Sequence, residues 1–68
     1  MEDEIVMKFE GIDDEDAKEK ILRRIGRMPG IEYVGIDPLS GEVTVMGGDI
    51  DRLGIEDDIE GMGYPLVR

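Results

Sequence analysis

The stretch "KFEGIDDEDAKEKI", Lys8 to Ile21, decides the fold, because the spacing of its apolar residues changes partway along. Around its start, Ile5, Met7 and Phe9 alternate with Val6, Lys8 and Glu10, the period of two of a half-buried strand. Gly11 ends that run. From Ala17 the apolar positions fall at Ala17, Ile21, Ile25 and Met28, with Leu22 beside them, which is one stripe of a 3.6-residue helix. Asp13, Asp14, Glu15 and Asp16 stand between the two patterns. Asp13 is the expected N-cap, Ile12 and Ala17 form a weak hydrophobic staple across it, and Glu15 and Asp16 complement the positive end of the helix dipole.

Outward from this stretch, "MPG" at Met28 to Gly30 stops the first helix. "IEYVGID", "PLSG" and "EVTVM" then read as a hairpin whose connection closes on a type I turn with Gly41 at positive φ. Val34 and Ile36 share one face with Val43 and Val45, while Tyr33, Gly35, Glu42, Thr44 and Met46 share the other. A second helix is predicted from about Asp51 to Met62, capped by Asp51, with Leu53, Ile55, Ile59 and Met62 as its buried set. "GYPLVR" closes the chain as a short edge strand, a position that Pro65 tolerates. The order β-α-β-β-α-β predicts an α+β, ferredoxin-like sandwich over residues 4–68: a four-stranded antiparallel sheet in the order 4-1-3-2 with both helices on one face.

Composition narrows the function classes. The 68 residues include no Cys and no His, which removes disulfides, thiolate ligands, the commonest metal ligand and the commonest general base. A net charge of −10, from 18 acidic and 8 basic residues, argues against nucleic acid and against anionic membrane surfaces. No apolar run approaches a membrane span, and the start "MEDEIVMKF" is acidic where a signal peptide is basic, so a cytoplasmic domain is expected.

Several phrases in this order resemble heavy-metal-associated domains, the copper-chaperone fold. "KFEGIDDEDAKEKI" has the form of that family's first strand, loop and helix; "MPGIEYVGID", "SGEVTVMG" and "GMGYP" are similar to its later motifs, and the resemblance runs from about Ile5 to Pro65. The family carries a Gly-Met-x-Cys-x-x-Cys loop. Counted from Gly11, its Met falls on Ile12 and its two Cys on Asp14 and Ala17. Cu(I) and Zn(II) select thiolates and imidazoles, so the resemblance implies the fold with the metal function lost and no cofactor.

Other candidate sites are weaker. The carboxylates Asp13, Asp14, Glu15 and Asp16 enter a helix about 100° apart and do not converge as a calcium loop requires, although weak hard-cation binding remains an alternative. "DIDRLGIEDDIE", Asp49 to Glu60, matches an EF-hand loop in part, yet it places Leu53 where an oxygen is needed and follows a strand rather than a helix. Lys20, Arg24 and Arg27 share one helix face at i, i+4, i+7, either a solvated face or an electrostatic docking stripe. Catalysis is not expected: Ser40, the only serine, sits in a turn with no base in evidence.

The leading expectation is a non-catalytic protein-interaction module, a monomer or weak homodimer, that binds a protein partner through the open sheet face. Its residues are Val6, Tyr33, Gly35, Glu42, Thr44 and Met46, with Leu66 or its neighbours, beside a free strand edge. The chain resembles the plant heavy-metal-associated domains integrated in immune receptors, which have degraded Cys motifs and bind pathogen effectors through the sheet. Two alternatives stand beside it: a redesigned or stability-optimised scaffold without a natural partner, and a weak carboxylate-based metal binder.

Overall fold

A computed structural model describes residues 3–67. Strand β1, Asp3–Lys8, turns Met7 inward, half-buries Ile5, and leaves Glu4, Val6 and Lys8 exposed, as its alternation dictates. Phe9, just beyond it, is buried at 2% exposure. Helix α1, Glu15–Gly26, buries Ala17, Ile21 and Ile25 of the predicted stripe and half-buries Leu22, while Met28, the stripe's last member, lies past the helix end and is half-buried.

Its cap lies one residue later than predicted. Asp14, not Asp13, has the extended backbone of an N-cap (φ −142°, ψ 169°), and its Oδ1 accepts from the Ala17 amide at 2.8 Å. With the cap there, Ile12 lies two positions ahead of it and is itself buried at 2% exposure, in the same core as Ala17.

Strand β2, Ile31–Asp37, and strand β3, Glu42–Gly47, form the predicted hairpin, and its register sets Val34 opposite Val45 and Ile36 opposite Val43. Gly41 has φ +80°, and its amide donates to the Asp37 carbonyl at 2.8 Å. A Cβ on Gly41 would collide with the Phe9 carbonyl oxygen, so the turn requires glycine on two counts. Helix α2, Arg52–Gly61, is capped by Asp51, whose Oδ1 accepts from Gly54 at 3.0 Å. Ile55 and Ile59 are fully buried.

Leu53 is not in the core; it is 72% exposed. Residues two positions apart on a helix stand about 200° apart around its axis, so a helix that buries Ile55 must turn Leu53 away.

Among the described residues the sheet has three strands in the order β1-β3-β2, both pairs antiparallel. The predicted fourth strand is reduced to a single antiparallel bridge between Phe9 and Leu66, in which the Glu10 amide donates to the Pro65 carbonyl and the Val67 amide to the Lys8 carbonyl, each at 2.8 Å. Pro65 has no N–H to extend the ladder. Arg68, the last residue of the predicted strand, lies outside the described residues. The bridge occupies the edge of β1 where the fourth strand was expected. Leu66 packs against the core rather than on the open face, and Val67 is the exposed neighbour. Val43, Val45, Met7 and Phe9 meet Ile21, Ile25, Ile55 and Ile59 in one core, which places both helices on one side of the sheet. Among the described residues no helix is long and apolar enough to cross a membrane.

Candidate functional site

The loop after β1 is built as a helix start. Gly11 takes φ +88°, and a Cβ there would touch the Tyr64 ring at 3.4 Å, so the ring packs against the loop backbone. Asp14 and Ala17, the positions expected from the resemblance to hold a degenerate motif, are an N-cap and a buried methyl joined by the cap hydrogen bond. This donor set does not fit a soft metal ion: one residue offers a hard carboxylate engaged with the backbone, and the other offers no donor atom. Among the described residues, no three His, Cys, Asp or Glu side chains are grouped so as to hold a metal ion.

The open face of the sheet brings together all six predicted contact residues. Register sets them in cross-strand rows: Glu4, Met46 and Tyr33; then Val6, Thr44 and Gly35; then Lys8, Glu42 and Asp37. Val6, Tyr33, Gly35, Glu42, Thr44 and Met46 line one shallow hollow of about 530 Å³. Tyr33 is 54% exposed and Val6 49%. A Cβ on Gly35 would stand 2.5 Å from the Tyr33 hydroxyl, so the absent side chain lets the ring lie along the strand. Glu42 and Asp37 face each other as like charges, a pairing that costs stability in a sheet. Each carboxylate has a separate donor in the turn: Asp37 Oδ1 accepts from the Leu39 amide at 3.0 Å and Glu42 Oε1 from the Ser40 hydroxyl at 3.2 Å.

Sequence reasoning passed over Glu4 and Asp37, which also line the hollow. The signal for both was available, since Glu4 is two residues from Val6 and Asp37 two residues from Gly35, the spacing of one sheet face.

The predicted docking stripe is also assembled. Lys20, Arg24 and Arg27, joined by Arg23, form one wall of an open groove of about 680 Å³ between the helices. Met28 and Met62 supply apolar surface, and Asp58 of α2 meets Arg24 at 3.3 Å.

No protein-family model matches the chain, and no curated protein matches it significantly. Solved structures do. A protein described as the CsoZ metallochaperone superposes with a TM-score of 0.92 at 29% identity over 100% of both chains. The CopZ metallochaperone superposes with a TM-score of 0.90 at 21% identity, covering 96% of this chain and all of the other. A copper-binding domain from HMA7, a P-type ATPase, reaches 0.84 at 14% identity over 100% of this chain and 96% of its own. The first two are named as metallochaperones and the third as a copper-binding domain. With both helices on one side of a β1-β3-β2 sheet, the chain has the heavy-metal-associated fold of these metallochaperones, and its own sequence contains no Cys.

Proposed function

We propose that this chain is a non-catalytic protein-interaction module, a heavy-metal-associated fold without metal or cofactor chemistry, and that its partner binds the open sheet face. One observation carries the reading: Val6, Tyr33 and Met46, apolar and aromatic, stand together on the sheet face that neither helix covers, bordered by Glu4, Glu42 and Asp37. Tyrosine and methionine are the side chains that supply contact area and adaptable packing at protein interfaces. The acidic border selects a partner with basic residues around an apolar contact. The resemblance to plant immune-receptor domains extends this to a pathogen effector as one kind of partner.

The test is capture of a partner from cell extract, its identification, and titration of the purified partner against Tyr33→Ala and Met46→Glu. Each variant is expected to weaken binding at least about tenfold, as truncation of a central contact does, with a melting curve close to that of the parent. Unchanged affinity in both variants sinks the reading.

A further inference from the structure

We propose that the groove between α1 and α2 is a second docking surface, separate from the sheet face, and that its occupant is an acidic segment of another protein carrying an aliphatic anchor. The chain has a net charge of −10, yet four of its 8 basic residues line this one groove against a single carboxylate, Asp58. Arg24 is paired with Asp58 at 3.3 Å and Arg23 reaches Glu19 at 4.0 Å. Lys20 and Arg27 form no ion pair among the described residues. Their charges are available to a ligand, and a cationic groove on an acidic body orients an approaching anionic group.

The apolar half of the groove distinguishes a peptide from a bare anion. Met28 and Met62 are half-buried at the core margin and present flexible thioethers between the helices, with Pro29 beside them. Lys20 to Arg27 spans seven helical steps, roughly 10 Å, which three or four extended residues also cover. That length admits two carboxylates flanking an aliphatic side chain, the carboxylates on Lys20 and Arg27 and the aliphatic group on the methionines. A second copy of this chain is a poor occupant, because two bodies of −10 repel each other.

The experiment titrates the protein with a fluorescein-labelled hexapeptide, Asp-Glu-Leu-Leu-Glu-Asp, at low and at physiological salt. Saturable binding that weakens as salt rises is expected. Arg24→Glu combined with Arg27→Glu should lower the affinity at least about tenfold. Lys20→Glu, which removes no ion pair, should lower it in the same direction. Tyr33→Ala and Met46→Glu should leave it unchanged, so failure of the sheet-face reading and failure of this one are read separately. No saturable binding up to about 1 mM peptide overturns the proposal. So does equal affinity for hexaglutamate or for a short DNA duplex, which would make the groove a site for anions in general.

Discussion

The Asp14 carboxylate accepts a hydrogen bond from the Ala17 amide at 2.8 Å, which joins the two positions onto which the sequence resemblance would place a Cys pair. In this chain they serve helix initiation. The cap satisfies one of the free amides of the first turn of α1, and the Ala17 methyl is buried where a coordinating atom would otherwise emerge.

Replacing Asp14 by Ala should therefore cost stability rather than any metal affinity. The expected loss is about 1 kcal/mol, or roughly 4–8 °C in Tm for a domain of this size. Asp14→Asn, which keeps an acceptor oxygen, should retain most of the parent stability. Thermal melts followed by circular dichroism measure both.

Asp14→Cys combined with Ala17→Cys should convert the helix start into a Cu(I) site. The two thiols would stand at the N-cap and third helical positions, where the helix N-terminus lowers thiol pKa and favours the thiolate that soft ions select. One Cu(I) per chain is expected in anaerobic competition with a chromophoric chelator, and none for the parent. A double variant that bound no copper would show that the loop geometry, and not only the ligand chemistry, has departed from the metallochaperones.

Gly41 and Gly26 should respond to alanine in opposite directions. At Gly41, with φ +80° and the Phe9 carbonyl in the path of a Cβ, Ala should destabilise by about 2 kcal/mol or more. At Gly26, the last residue of α1, nothing lies within 4 Å of a Cβ, so Ala should stabilise by about 0.5–1 kcal/mol through helix propensity. Urea denaturation of the two variants gives the sign directly.

Ile21 and Leu53 test where the core ends. Ile21 is fully buried between helix and sheet, and Ile21→Ala should cost about 2–5 kcal/mol, enough to leave much of so small a domain unfolded. Leu53 is 72% exposed, and Leu53→Ala should stay within about 0.5 kcal/mol of the parent. Urea midpoints compared at constant m-value separate the two cases.

The hydrophobic periods alone were sufficient for the order of the first five elements, the shared face of Val34, Ile36, Val43 and Val45, the Ala17, Ile21 and Ile25 stripe of α1 and the six residues of the open sheet face. Those are local properties, because a period of two or of 3.6 is written in adjacent residues and assigns each side chain to a face. The choice of Asp14 over Asp13 as cap, the exposure of Leu53 and the reduction of the last strand to one bridge were decided only in three dimensions. Adjacent Asp residues have the same capping chemistry, so residue type alone does not choose between them. Leu53 is as apolar as Ile55, so the direction in which α2 meets the sheet chose between them. The groove that gathers Lys20, Arg23, Arg24 and Arg27 against Met62 joins residues far apart in the chain. No spacing along a single helix specifies its opposite wall, and only the packing of α2 beside α1 created it.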